Sequence, residues 1–473
     1  MVRVVVLSMK TLIDPTKALS KGLAEIRAQF KTPTGFSPEV LAAAENAAKR
    51  IPNSHVDRTA IPFVTLDPAA STDLDQAFYI ETSGQDFLLH YAIADVAWFV
   101  ADGDALDKEA WQRGSTLYMP DGKISLYPEI LSQGAASLLP DVVRPAVIFT
   151  VRVAPDGSVR LDGAERAIVK SRAKLAYENV RPQDLPRRFD EFAQRIFAAE
   201  DRRGASRVDP PEQEVEADGK GRYVLAFRPK LASENQNSAM SLAANLAIAD
   251  AMAAHQTGLF RVMDVADDAE VKALRNAARA LGLDWPTATG LKDFQRRLDP
   301  ADPKQASLML AIRRAGPGAS YMPYKEGKKP WHAAVAATYA HATAPLRRLA
   351  DRYVVRATLA IANGEPVPDV VTRAFGSLPK VMARADGRAN QISSAVIELA
   401  EALVLRGREG EEFAAIATDF TSRGMRIQLC DLPVVALLKQ DNSASKLMPG
   451  DSLNAKLVSA DPEARTVAFE QAG

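Results

Sequence analysis

Apolar positions along the chain fall into three successive rhythms, and each predicts a different kind of element. Near the N-terminus helical spacing covers Pro15 to Phe30 and resumes after Gly35-Phe36-Ser37-Pro38-Glu39, where Ser37 reads as the N-cap, Pro38 as the first helical residue and Glu39 as a first-turn acid. That second helix ends near Arg50. From Ile61 to about Val153 the texture is strand-rich, with Phe87 to Ala94 and Ala146 to Val153 as buried strands. Beyond Ser241 long Ala-rich helices follow, over Ser241 to His255, Asp268 to Leu281, Lys304 to Ala315, Pro345 to Asn363 and Gln391 to Arg406. After Arg406 short alternating segments at Glu412 to Thr418, Gly424 to Leu429, Asp451 to Leu457 and Thr466 to Phe469 predict a small antiparallel barrel. Residues 204–222 are polar and read as a connecting loop or hairpin.

The expected architecture is therefore α+β in three parts. Residues 1–55 form a small, basic, mainly helical element, 56–406 a mixed β core with long helices, and 407–473 the barrel. A chain of 473 residues, 47% hydrophobic and 25% charged, is globular and too long for one ordinary domain. Its single cysteine, Cys430, rules out an internal disulfide, and no apolar run is long enough to span a membrane. Those two features predict a cytoplasmic protein with no membrane partner, and a monomer is the expected state.

Net charge is zero, which excludes a protein that coats nucleic acid by bulk electrostatics, yet the charge is unevenly placed. Between Arg313 and Arg356 there are nine Lys or Arg against only Glu326 and Asp351. The complementary feature is acidic: Leu66-Asp67-Pro68-Ala69-Ala70-Ser71-Thr72-Asp73-Leu74-Asp75-Gln76-Ala77-Phe78 places three carboxylates within nine residues. Flanked by β-prone Ile61 to Leu66 and Ala77 to Ile80, it reads as strand, acidic loop, strand. If Leu74 to Ile80 is a strand, Asp73 and Asp75 share one face. Carboxylates held that close repel unless a cation offsets them, and hard oxygen donors suit Mg²⁺ or Mn²⁺. An acidic metal cluster with a basic segment is what phosphodiester chemistry requires.

These segments resemble the ribonuclease II/ribonuclease R family of RNB-domain exoribonucleases. The acidic loop looks like the family's catalytic signature, and further matches follow in order: Ile93-Ala94-Asp95-Val96, Arg113-Gly114-Ser115-Thr116-Leu117-Tyr118-Met119-Pro120, Ser125 to Ser132, Ala136-Ser137-Leu138, Ala243-Ala244-Asn245, Leu259 to Val262 and His341 to Asp351. The resemblance implies an RNB-type catalytic domain followed by an S1-type OB-fold. It also implies a Mg²⁺-dependent, processive 3′→5′ hydrolase that degrades single-stranded RNA to nucleoside 5′-monophosphates and leaves a short oligonucleotide, without a nucleotide cofactor. Carried over residue by residue, Asp73, Asp75 and Arg347 are catalytic, Asp67, Asp73, Asp75 and Gln76 hold metal, and Tyr118, Arg113, Arg347, Arg348, His341, Thr343 and Phe413 contact RNA.

The departures are specific. Gln76 stands where the family has a fourth aspartate, Ser238 where it has a glutamate, and Ala344 where it has a serine. A second base-clamping aromatic is replaced near Val208, and the N-terminal segment is too short for paired cold-shock domains and reads as helix-turn-helix-like. Two rivals remain. One is an RNA-binding protein with a weakened nuclease site. The other is a phosphatase built on Asp73-Leu74-Asp75, disfavoured because Ala70-Ser71-Thr72 rather than an apolar strand precede it.

Overall fold

The structure is a computed structural model and describes residues 9–12, 18–206, 212–217, 222–228, 230–299, 302–316, 318–421, 424–439 and 447–472. At its centre lies a seven-stranded sheet in the order Ala173–Ala176, Val64–Asp67, Gln76–Ser83, Asp86–Ala94, Val143–Val153, Val159–Lys170 and Val56–Asp57. Pairing is antiparallel through the middle and parallel at the two ends. The strand Asp86–Ala94 buries Phe87, Leu89, Tyr91, Ala92 and Ile93 completely. Such near-continuous burial marks a strand covered on both faces. The helices Ala232–Ala254 and Leu349–Ala362 join this core through Ala243, Ala247, Ile248, Tyr353 and Val354.

Helix boundaries depart from the sequence pattern where polar or breaking residues hide a buried face. The helix Ala232–Ala254 starts well before Ser241, its first turn capped by Glu234, which accepts from the Leu231 amide at 2.7 Å. The last long helix is Asp369–Leu405 rather than Gln391 to Arg406. Gly376, Pro379 and Gly387 obscure its N-terminal half, and Pro379 lacks the amide that would bond to Phe375. Burial of Val371, Phe375, Leu378, Met382 and Ala385 outweighs those breakers.

The N-terminal segment does not have a core of its own among the described residues. Helix Ala18–Gln29 packs Leu19, Leu23 and Ile26 against Ile392, Val396 and Leu399 of the long helix. Helix Pro38–Ala48, with Ser37 capping the Val40 amide at 3.3 Å, instead sends Val40, Ala44 and Ala47 into the core around the central sheet. Strand Met9–Leu12 pairs with Tyr223–Arg228, itself the partner of Glu212–Ala217, so the polar 204–222 region does contain part of a hairpin. In place of a separate 1–55 domain, the segment is a set of braces between other parts.

The barrel is closed, in the order Glu412–Thr421, Gly424–Leu429, Val435–Leu438, Thr466–Gln471 and Ser452–Asp461. Ala400, Val404 and Leu405 of the long helix share its core. Phe413 was expected to meet RNA; it is only 8% exposed and packs edge-on against Phe469, with ring centroids 5.8 Å apart. A small barrel needs large inward side chains to fill it, and Phe413 is one of them. Val208 lies outside the described residues.

Between barrel and long helix is a cavity of about 720 Å³ whose wall includes Glu401. Its carboxylate accepts from the Val435 amide at 2.7 Å and from Gln213, yet burial dominates and pushes its pKa up to about 7. A carboxyl raised in the folded state favours folding below its unfolded pKa and loses that contribution as pH rises through the folded value. Stability should therefore fall between about pH 4.5 and 7, by at most about 3 kcal/mol from this group. Urea unfolding of Glu401→Gln, which keeps an acceptor but cannot ionise, should show a smaller drop from pH 5 to pH 8 than the parent chain.

Candidate active site

The acidic loop is pinned before its charges are considered. The Ser71 amide bonds to Pro68 O at 3.0 Å, closing the turn that Pro68 favours. Ser137 then staples the loop from behind, donating to Thr72 O at 2.7 Å and accepting from the Leu74 amide at 2.9 Å. Leu74 is fully buried, and its carbonyl accepts from the Leu138 amide at 2.9 Å. This explains why Ala136-Ser137-Leu138 stood out as a motif.

Asp67 ends the strand Val64–Asp67, whereas the next strand begins only at Gln76. Asp73 and Asp75 consequently lie in the loop, and the shared strand face expected for them does not form. Their side chains diverge: Asp73 accepts from Lys123 Nζ at 2.7 Å and is hydrogen-bonded to the Tyr118 hydroxyl, while Asp75 turns inward. Asp75 is 4% exposed; its Oδ1 accepts from the Leu346 amide at 2.6 Å and its Oδ2 lies 3.5 Å from Arg347 Nε. Desolvation pushes the Asp75 carboxyl up to about 8, against the opposing pull of Arg347 and the Leu346 amide. Asp67 is likewise raised by burial, to about 6, and its Oδ2 has no hydrogen-bond partner.

As the side chains are arranged, no three His, Cys, Asp or Glu groups among the described residues converge to hold one ion. Lys123 occupies Asp73. Gln76 turns its carbonyl oxygen away, accepting from the Tyr91 hydroxyl and from Ser241 Oγ at 3.2 Å. That leaves Asp67 and Asp75 as desolvated carboxylates with one orphaned oxygen. Two carboxylates completed by water are a donor set that suits Mg²⁺. Asp67 and Asp75 are the carboxylates left to offer oxygen donors to a hard divalent cation.

The segment carrying Arg347 is irregular, because alternate amides, those of Ala342, Ala344 and Leu346, are claimed by side chains of other elements. Asn245 Oδ1 accepts from Ala342 at 2.9 Å, Asp351 Oδ2 from Ala344 at 2.8 Å, and Asp75 from Leu346. The expected helical start at Pro345 shifts to Leu349 for this reason. Thr116 donates to Arg347 O at 3.0 Å and Leu349 to Gly114 O at 3.0 Å, so the Arg113-to-Pro120 motif lies beside the His341-to-Asp351 motif. Arg347 emerges 42% exposed over the two aspartates, and Tyr118 presents a ring 58% exposed beside Asp73.

Four residues expected to touch RNA are turned into the protein. Arg113 donates to Glu109 at 2.7 Å, to Ser125 O and to Gly35 O, and lies over the Phe36 ring. Arg348 closes on Asp351 through two bonds of 3.0 and 2.8 Å. His341 bonds to the Tyr321 hydroxyl at 2.8 Å, and burial together with the nearby Arg348 and Arg261 holds its pKa well below the usual range. Thr343 is 4% exposed. In each case the family motif marks a residue that shapes the loop rather than one that faces the cleft.

Lys123 was missed. The turn signal Pro120-Asp121-Gly122 could have found it, since it pairs Tyr118 with Lys123 across the hairpin Leu117–Met119/Gly122–Ile124. Beyond Gln76 and Arg347 opens a cavity of about 550 Å³, whose polar wall includes Tyr177, Asn237, Ser238 and Ser241.

Residues 55–364 match the RNB domain model, and residues 411–472 match that of the RNase II-type exonuclease C-terminal S1 domain. The chain belongs to the RNB-domain family. Ribonuclease R of Aquifex aeolicus is 26% identical over 93% of the chain and 69% of its own length. Ribonuclease R of Escherichia coli is 26% identical over 86% of the chain, which spans only 54% of that enzyme. Exoribonuclease 2 of Vibrio vulnificus is 40% identical over 127 residues. Among solved structures the apo form of Mycoplasma genitalium RNase R superposes with a TM-score of 0.85 at 19% identity, covering 96% of the chain and 78% of its own. The yeast pseudonuclease Ssd1 shares the fold at TM-score 0.65 and 14% identity.

Ser137→Ala tests the stapling of the RNB acidic loop. It removes the bonding partner of the Leu74 amide and of Thr72 O, and thermal or urea unfolding should show a loss of about 1–3 kcal/mol.

Proposed function

We propose that this RNB protein is a hydrolytic 3′→5′ exoribonuclease acting on single-stranded RNA and releasing nucleoside 5′-monophosphates, with Mg²⁺ or Mn²⁺ as its metal. The observation that carries this reading is that two desolvated carboxylates, half-buried Asp67 and buried Asp75, both lie within electrostatic reach of the half-exposed guanidinium of Arg347. Asp67 and Asp75 would hold the ion; when bound, a divalent cation supplies Lewis acidity and an activated water at the phosphate.

Arg347 meets Asp75 by one contact of 3.5 Å rather than a bidentate pair, so its remaining N–H groups stay available to phosphate oxygens. The Leu346 amide fixes Asp75, and Asp75 in turn holds the guanidinium in place before substrate arrives. Lys123 balances Asp73, which keeps that carboxylate from repelling the phosphate. Tyr118 exposes a ring face on which a base can stack, with its hydroxyl anchored by Asp73. The cavity beyond Gln76 has the size and polar lining for a terminal nucleoside. Among the described residues no helix is long and apolar enough to cross a membrane.

The position of Gln76 favours a second reading, an RNA-binding protein with a weakened nuclease site, because its carbonyl is engaged with Tyr91 and Ser241. Incubating 5′-labelled single-stranded RNA with the protein and Mg²⁺ separates the two. Shortening from the 3′ end supports the enzyme, and RNA bound but intact supports the second reading. Asp75→Asn should lower cleavage by about 100-fold or more while binding persists, and Arg347→Ala should cost about 10²–10³ in kcat. Single-turnover kinetics on the labelled strand measures both.

A further inference from the structure

A second cationic groove lies on the other side of the Arg113-to-Tyr118 segment, along the N-terminal half of the helix Asp369–Leu405. Arg373, Ser377, Lys380 and Arg384 follow one another at four-, three- and four-residue intervals, which places them on a single face of that helix. With Trp111 and Tyr353 they line a concave space of about 650 Å³. Its walls differ: cations stand along the helix, while Trp111, Val370, Ala374 and Val381 supply an apolar side.

Some surface arginines are matched with acids, as in Arg58–Glu165, Arg188–Glu191 and Arg356–Asp102. Among the described residues Arg373 and Lys380 have no such partner. Arg384 donates to the carbonyls of Trp111 and Gln112 at 3.1 and 3.0 Å, which steers its guanidinium to the groove without neutralising it. Asp107, the acid at the floor, is already held by Arg352, the Tyr353 hydroxyl and the Gly103 amide. The concavity therefore keeps an uncompensated positive charge in a protein whose net charge is zero.

We infer that this groove is a nucleotide-binding site separate from the catalytic centre, taking the phosphate of one nucleotide on Arg373, Lys380 and Arg384 and its base against the Trp111 wall. Guanidinium and ammonium groups on one helix face suit phosphate, and an aromatic wall beside them suits a base. The volume is that of a small-ligand pocket. A nucleotide of this chemistry comes from one of two sources, a unit of an RNA chain that also occupies the catalytic centre or a free mononucleotide. The inference extends the RNA-degrading reading but does not need cleavage.

Binding is measured on the full chain in EDTA, so that an inactive catalytic centre would leave the result untouched. The variant carries Arg373→Glu and Lys380→Glu, both exposed, and unchanged thermal unfolding verifies its fold. In equilibrium dialysis with AMP, a mononucleotide source predicts one fewer bound AMP per chain than in the parent. With a labelled RNA of about 30 nucleotides, an RNA-chain source predicts affinity weakened about fivefold or more, while an RNA of about 8 nucleotides is unaffected. Trp111→Leu should weaken AMP binding but not that of inorganic phosphate. Unchanged AMP stoichiometry together with unchanged long-RNA affinity overturns the inference. So does polyglutamate that binds the parent as well as RNA does and is lost equally in the variant, since that marks a docking surface for acidic protein.

Discussion

The hydrogen bond from the Leu346 amide to Asp75 Oδ1 joins residues 271 apart in sequence, and the arrangement of the candidate site depends on it. Burial to 4% exposure disfavours the charged carboxylate, and the backbone of the basic segment supplies a donor that partly opposes that cost. The same segment is tied by Asn245 at Ala342 and by Asp351 at Ala344. Each of these bonds fixes a backbone amide rather than a flexible side chain. Arg347, the half-exposed cation of the segment, therefore projects from a rigid loop, and little reorganisation is needed when negative charge develops beneath it.

Charge balance in the cleft follows from two residues that the acidic count alone does not reveal. Lys123 neutralises Asp73, and Gln76 contributes a dipole already engaged by Tyr91 and Ser241. What remains to attract a cation is the pair Asp67 and Asp75, whose burial raises both pKa values. Desolvation makes the apo pair reluctant to ionise, and a divalent ion offsets that penalty directly. A neutral residue at position 76 is consistent with such a site, because a further buried carboxylate there would need its own compensation.

Much of this was legible in the sequence. The acidic loop between two strands and the barrel after residue 407 followed from composition shifts and turn signals, while the pairing of Arg347 with the aspartates came from the family resemblance. What was not legible lay in the direction of side chains. Arg113, Arg348 and His341 sit in motifs that point to RNA, yet ion pairing with Glu109, ion pairing with Asp351 and burial against Tyr321 turn them inward. Charge and spacing alone do not say which way a side chain faces. The N-terminal half of the long helix was hidden for a different reason: Gly376, Pro379 and Gly387 lower its local propensity, and only tertiary burial restores it.

That helix also explains how distant parts can influence the cleft. It shares the barrel core through Ala400 and Leu405, braces the N-terminal helix through Leu399, and passes directly against Gly114. Gly114 has a φ of +76°, and a Cβ there would lie 2.8 Å from that of Ala385. The position therefore needs glycine twice over, for its conformation and for its contact. Gly114 O holds the Leu349 amide, and Thr116, two residues on, holds Arg347 O. The helix at Ala385 is thus linked to Leu349 and Arg347 through backbone hydrogen bonds of Gly114 and Thr116. The seating of the barrel and the backbone that carries Arg347 are braced by the same rod.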